Sequence, residues 1–163
     1  MKRNWPFIII TGIGIFTTLI FLYIFVYGLA TNTVKSAAIM EKAYPHIKPQ
    51  EYMNFLKKTI KNNNIKIIQI KSEEQYFLIQ LINEQKLEEL INIAPQLAPL
   101  SIVNLVIYDI GNGTGIVANN PYLWDIIINN RKIDEIAEEY SNLLSDILDS
   151  IYWDYKKEQE MLK

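Results

Sequence analysis

The hydrophobic pattern is strongest near the amino terminus, where residues 7–30 read FIIITGIGIFTTLIFLYIFVYGLA without a charge. A helix of this length spans about 36 Å, more than the roughly 30 Å hydrocarbon core of a bilayer. The run has no polar face, which argues against a buried helix of a soluble protein. The pattern predicts one transmembrane helix that contacts the lipid bilayer through residues 7–30.

The flanks of this run predict its orientation. Lys2 and Arg3 precede it, Trp5 lies at its start, and Tyr23 and Tyr27 lie near its far end, where aromatic side chains favour the membrane interface. The positive-inside rule keeps such an amino terminus in the cytoplasm. We therefore expect a single-pass inner-membrane protein whose carboxyl-terminal domain is periplasmic or extracellular.

A cleaved signal peptide is the alternative, because Gly28, Leu29 and Ala30 resemble the small-residue pattern of a cleavage site. Signal peptides have apolar regions of about 7–15 residues, shorter than this one, so a retained anchor is favoured. Residues 1–30 are assigned to the anchor or an uncleaved signal. Residues 31–48 are assigned to a connector, interrupted by Pro45, and residues 49–163 to the outer domain.

The outer domain begins with a helical period that starts at Pro49 and ends in three asparagines at 62–64. The segments 65–70 and 76–82 are β-branched and aromatic, which favours a hairpin, although a helix that begins with a capping box at Ser72 is an alternative. A second helix ends before Pro95. Its predicted inward positions are Leu87, Leu90, Ile91 and Ala94.

Three glycines, Gly111, Gly113 and Gly115, follow the apolar segment 100–109, which has the composition of a central strand. A phosphate-binding loop needs a helix on its far side and a Walker or GxGxxG spacing. Here the far side is TGIVA, another strand-like segment, so Asn112-Gly113 predicts a hairpin turn in which Asp109 binds the turn amides.

The last part of the chain predicts a break at residues 119–121, a loop or short helical turn over 122–128, and a long amphipathic helix from Ile133. A helix of about 40 Å is longer than a typical strand of 17–20 Å. Its last turns are therefore expected to extend beyond the sheet and to offer a contact surface.

Composition excludes several chemistries. The 163 residues are half hydrophobic, enough for one compact domain beyond the anchor, and they contain no cysteine for thiolate metal sites or thiol catalysis. A formal net charge of −2 argues against nucleic acid as a partner. The single histidine, His46, has no second ligand nearby in sequence, and no G-x-S-x-G elbow is present.

Carboxylates at regular spacing on the last helix are interpreted as a solvated face, because a regular helix does not wrap a cation. The residues are Glu135, Glu138, Glu139, Asp146 and Asp149. The sequence therefore predicts no metal site, no cofactor and no catalytic residue.

Aromatic side chains are the remaining candidates for ligand or partner binding, because tyrosine and tryptophan combine a large apolar area with a polar tip. The residues are Tyr122, Trp124, Tyr140, Tyr152, Trp153 and Tyr155. Since residues 152–155 point all around a helix, at least one of these aromatics is expected to face outward.

The order of elements, with Pro99-Leu100, LVIYD, GNGT, IVANNP and a closing amphipathic helix, resembles the domain of unknown function 302 (DUF302) family. In that family a proline-led apolar strand ends in a VYED-G turn and is followed by a strand and an Asp/Asn-Pro. The resemblance covers residues 44–151, and the chain departs from it at Asp109-Ile110, where an acidic pair is common. It implies an α+β fold with an antiparallel sheet of about four strands and helices on one face, and no catalytic residue.

Two functions stay open at this stage. The first is a membrane-anchored, non-enzymatic binding or accessory protein that engages a protein partner, or a second copy of itself, through the sheet face or the aromatic helix. The second is a small-molecule carrier or enzyme with a pocket between the sheet and the long helix, walled by Tyr122, Trp124 and Tyr140.

Overall fold

A computed structural model describes residues 4–61 and 63–161 of the chain. The predictions made for Lys2, Arg3 and Asn62 lie outside these residues. The chain divides into two compact units, and the boundary falls between Ser36 and Ala37.

The first unit consists of helix α1 (Trp5–Ala38) up to the boundary. Its residues from 5 to 36 are exposed, and the helix is long and apolar enough to cross a membrane. The hydroxyl groups of Thr17 and Thr18 donate to carbonyl oxygens one turn earlier, at 2.8 and 2.9 Å, so these polar atoms are satisfied within the helix. An apolar helix near an amino terminus can also belong to a signal sequence, so this property alone does not identify a membrane span.

The second unit is an α+β domain built on a sheet of five strands among the described residues. Its elements in chain order are β1 (Ile39–Pro45), α2 (Pro49–Ile60), β2 (Ile65–Ser72), β3 (Tyr76–Asn83), α3 (Glu84–Ile93), a 3₁₀ helix (Pro95–Ser101), β4 (Val103–Asp109), β5 (Gly113–Asn119), α4 (Leu123–Ile127) and α5 (Arg131–Met161).

The strand order is β1-β5-β4-β3-β2, and every neighbouring pair is antiparallel. This corrects the expected four strands to five. The additional strand, β1, lies within residues 31–48, which the sequence analysis assigned to a connector, and it forms one edge of the sheet. Its inward positions Met40, Lys42 and Tyr44 include a lysine, so the apolar alternation of a strand is missing from the sequence.

The core lies between one face of the sheet and the helices α2, α3 and α5. Alternate residues of the central strands point into it, as the period of a strand requires. The buried apolar residues that the central strands β3, β4 and β5 place on this face are Ile79, Leu81, Val103, Leu105, Ile107, Ile116 and Ala118.

The glycine cluster forms the predicted hairpin between β4 and β5. The turn lies one residue earlier than expected, because its left-handed residue is Gly111 and not Asn112. Gly111 has a φ of 82°, and its amide donates to Asp109 Oδ1 at 2.6 Å, which confirms the role expected for this aspartate. At Gly113 an added Cβ would come within 2.2 Å of the carbonyl oxygen of Tyr44, so the absence of a side chain allows β1 to approach β5.

Helix α3 differs from its predicted orientation. Ile91 was expected to face inward but is 48% exposed, whereas Lys86 is buried together with Leu90. The ammonium group of Lys86 lies 2.6 Å from Glu139 and 3.1 Å from Glu89. These contacts make burial of a lysine acceptable and also correct the interpretation of Glu139 as a purely solvated residue.

Candidate interaction surface

Two of the six aromatic candidates belong to the core. Trp124 on α4 and Tyr140 on α5 are 1% and 0% exposed, and their ring centroids lie 5.9 Å apart. This contact holds the short helix α4 against the long helix. Because both side chains are fully buried, neither ring can line a pocket that is open to a ligand.

Tyr152 and Tyr155 are half-buried on the inner side of α5. The ring of Tyr152 packs 5.2 Å from that of Tyr44, which in turn stacks on Tyr52 at 5.3 Å. Tyr155 meets Phe55 edge to face at 6.0 Å, and its hydroxyl donates to the carbonyl oxygen of residue 46 at 3.1 Å. These aromatics join α5 to β1 and α2, so packing explains their presence.

The other two candidates are exposed. Tyr122, just before α4, is 40% exposed, and Trp153 on α5 is 57% exposed. The ammonium group of Lys156 lies 5.2 Å from the centroid of the Trp153 ring. Tyr122 lies outside α5, whereas Trp153 lies near the end of that helix. With Trp124 and Tyr140 in the core, the structure does not bring the six candidates together into one site.

A polar network that the sequence analysis missed ties β1 to α5. Lys42 Nζ donates to Asp149 Oδ2 at 2.6 Å and to Ser145 Oγ at 2.7 Å, and Tyr44 Oη donates to Asp149 Oδ1 at 2.7 Å. Burial acts to raise the pKa of Asp149, but the hydrogen bonds from Lys42 and Tyr44 outweigh it and hold this pKa below its usual range. The pKa of Tyr44 is raised, first by burial of the side chain and second by its hydrogen bond to Asp149. The Tyr44 hydroxyl therefore stays protonated.

The sheet face opposite the helices carries a row of apolar residues. Val117, Val106 and Leu78 are directly paired neighbours on β5, β4 and β3, and each is only half-buried. Charged residues close the row at both edges, with Glu41 on β1 and Lys71 on β2. The described residues place no helix over this row.

A second row on the same face is aromatic. Tyr76 on β3 pairs with Tyr108 on β4, which pairs with Gly115 on β5. An added Cβ on Gly115 would come within 2.5 Å of Tyr108 Cζ and 2.8 Å of Ile110 Cγ2, so both side chains lie over the glycine. Tyr76 and Tyr108 remain 38% and 36% exposed.

We call the surface formed by Tyr76, Leu78, Val106, Tyr108 and Val117 the open sheet face. A groove of about 760 Å³ borders it, with the turn 73–75 and residues 48–50 on its other side. Sequence contained a signal for this surface. In the strand VNLVIYD, apolar residues point to both faces of the sheet. A strand of a sheet that is covered on one face only ordinarily alternates apolar and polar residues.

In residues 4–61 and 63–161, no group of three or more histidine, cysteine or acidic side chains is placed to hold a metal ion. His46 is exposed in the turn between β1 and α2, where its φ is 66° and its amide donates to the carbonyl oxygen of Asn112 at 2.9 Å. Its role in the structure is that of a turn residue.

Comparison with solved structures identifies the fold. A crystal structure of an uncharacterized conserved DUF302 protein from Bacillus stearothermophilus matches with a TM-score of 0.60 and 15% sequence identity, and the match covers 69% of this chain and 96% of that chain. No protein-family model matches the sequence, and no curated protein does. The domain therefore has the fold of a DUF302 protein, an α+β fold with an antiparallel sheet.

Proposed function

We propose that the chain is a membrane-anchored, non-enzymatic binding protein of the DUF302 family. In this proposal α1 holds the chain in the bilayer with the amino terminus in the cytoplasm. The α+β domain lies outside, in the periplasm of a bacterial cell, and binds a protein partner through the open sheet face. The observation that carries the proposal is the apolar and aromatic surface on the side of the sheet over which the described residues place no helix.

The anchor is supported by the apolar length of α1 and by its exposed surface. Side chains such as Phe16, Phe21 and Phe25 are 65–70% exposed, which is costly in water and favourable in lipid. The flanking charges at Lys2 and Arg3 support the proposed direction.

The open sheet face has the composition of a protein interface. It combines apolar residues at its centre with two tyrosines and a polar boundary, the arrangement in which aromatic anchors contribute most of a binding energy. Gln80 Nε2 donates to Asn104 Oδ1 at 3.0 Å along that boundary. A folded protein surface or an added peptide layer can cover such a row of side chains on three neighbouring strands.

The alternative function, a carrier or enzyme with a pocket between the sheet and α5, has weaker support. Two of its three proposed walls, Trp124 and Tyr140, fill the core and contact each other. Only Tyr122 of that set is accessible. We therefore place the binding surface on the other side of the sheet.

Site-specific photocrosslinking in cells of the source organism tests the proposal. We expect p-benzoylphenylalanine in place of Tyr108 to give one discrete adduct with a partner protein. The same amino acid in place of Glu138, which is exposed on α5, is the control and should give none. Adding Val106→Lys should remove the adduct, since an ammonium group at the centre of an apolar contact is penalised.

Three results would decide against the proposal. Equal adducts from positions 108 and 138 would mean that contact is nonspecific, and no adduct from position 108 would mean that the face is free in the cell. An adduct of twice the mass of this chain would show that a second copy, and not another protein, covers the face.

A further inference from the structure

A group of exposed apolar side chains lies outside the open sheet face. Ile126 and Ile127 on α4 are 44% and 50% exposed, although Trp124 on the same short helix is buried. Burying an isoleucine fully is worth about 1.5–3 kcal/mol relative to exposing it, so two adjacent exposed isoleucines beside the exposed Tyr122 suggest an apolar environment. The open sheet face does not account for these residues.

These side chains lie near the point where the chain enters the domain. The amide of Asn120 donates to the carbonyl oxygen of Ala38 at 2.9 Å, and Asn119 pairs with Ile39 at the start of β1. Helix α1 ends at Ala38 and β1 begins at the next residue. The segment 120–128 therefore begins beside the last residue of α1.

The length of α1 places this junction close to the membrane surface. A helix of 34 residues is about 51 Å long. A bilayer with its headgroups is about 40–45 Å thick, and membrane helices tilt by about 20°. The hydroxyls of Thr31 and Thr33 donate to carbonyl oxygens one turn earlier, so the polar end of α1 tolerates the interface. Ala38 then emerges within a few ångströms of the headgroups.

We propose that residues 120–128 form a second membrane contact, in which Tyr122, Ile126 and Ile127 insert at the boundary between headgroups and acyl chains. This inference rests on the proposed anchor.

The contact is apolar and not electrostatic. Arg131 and Lys132 at the start of α5 are balanced by acidic residues, and Arg131 pairs with Glu135 at 3.1 Å. Asp125 and Asp134 are the other acidic groups beside the segment. A polybasic surface would require anionic lipid, whereas this segment should bind zwitterionic phosphatidylcholine equally well.

Fluorescence quenching in reconstituted membranes tests the inference on the full chain, which has no cysteine of its own. Ile127→Cys carries the fluorophore NBD in phosphatidylcholine nanodiscs that contain 5-doxyl lipid. Insertion to a depth of about 5–10 Å should remove about half of the emission. The matched control is Ile68→Cys on β2, an isoleucine that is also 50% exposed, and its emission should be unchanged.

A label at Phe16→Cys in α1 separates failure of this inference from failure of the anchor. If the label at Phe16 is quenched and the label at Ile127 is not, the second contact is wrong and the anchor stands. If neither is quenched, both are wrong. A label at Ile127 that is shielded from aqueous iodide but not quenched by lipid would show that protein covers α4, which also overturns the inference.

Discussion

Two inward-facing lysines explain why the sequence analysis missed β1 and misoriented α3. Lys42 and Lys86 take inward positions on β1 and α3, because Asp149 and Glu139 of α5 neutralise them. A hydrophobicity pattern treats each lysine as a sign of solvent exposure. Partners that lie more than fifty residues away along the chain cannot be recognised from spacing alone. The strand β1 and the orientation of α3 were therefore missed for the same physical reason.

The Lys42–Asp149–Tyr44 network predicts a pH-dependent contribution to stability. The pKa of Asp149 in the folded state lies below the unfolded value of about 3.9. Ionised Asp149 therefore stabilises the domain above about pH 4, and this stabilisation is lost as the pH falls through the folded pKa. Asp149→Asn should lower the free energy of unfolding at pH 7 by about 1–2 kcal/mol, the lower end being favoured because the carboxylate is partly exposed.

Urea denaturation of the full chain in mild detergent, followed by near-ultraviolet circular dichroism, measures this effect. The difference between wild type and Asp149→Asn should shrink as the pH is lowered from 7 to below 4. Asp146→Asn is the matched control on an exposed position of the same helix. A difference that is independent of pH, or the same for both variants, would show that the network does not work through its charge.

At the scale of elements, periodicity identified most of the domain. The structure confirms the helix from Pro49, the hairpin of β2 and β3, the glycine hairpin of β4 and β5, and the long last helix. Each of these has local chemistry, such as a turn residue or a regular apolar stripe, that specifies it without distant partners. The open sheet face was harder to recognise, because burial on two sides of a strand depends on which layers cover the sheet.

The two tryptophans of the domain's helices should behave in opposite ways. Trp124→Ala removes a fully buried ring beside Tyr140 and should cost about 3–5 kcal/mol of unfolding free energy. Trp153→Ala removes an exposed ring and should cost less than about 1 kcal/mol. Thermal unfolding of both variants measures the difference.

The same pair tests whether α5 provides a second binding surface. Adding Trp153→Ala to the chain that carries p-benzoylphenylalanine at position 108 should leave the partner adduct unchanged if the open sheet face alone binds the partner. A weaker adduct at an unchanged melting temperature would instead show that the end of α5 takes part in the interface. A melting temperature that falls as far as that of Trp124→Ala would contradict the exposed position of Trp153.

At the scale of the whole molecule, the compartment in which the domain lies determines which partners it can bind. The fold is that of a DUF302 protein, which defines an architecture without an activity. A domain held by α1 outside the cytoplasm can bind only what shares that compartment or crosses the membrane. The proposed membrane topology should therefore be tested before a partner is sought.

Cysteine labelling in intact spheroplasts decides this topology, because every introduced cysteine is the only one in the chain. Met161→Cys, at an 80% exposed position near the end of α5, should react with a membrane-impermeant maleimide before lysis, whereas Lys2→Cys should react only after the membrane is permeabilised. The chain should also stay with the membrane through an alkaline carbonate wash. Labelling of position 2 but not position 161 in intact spheroplasts would contradict the proposed orientation, and release of the chain by the wash would contradict the anchor.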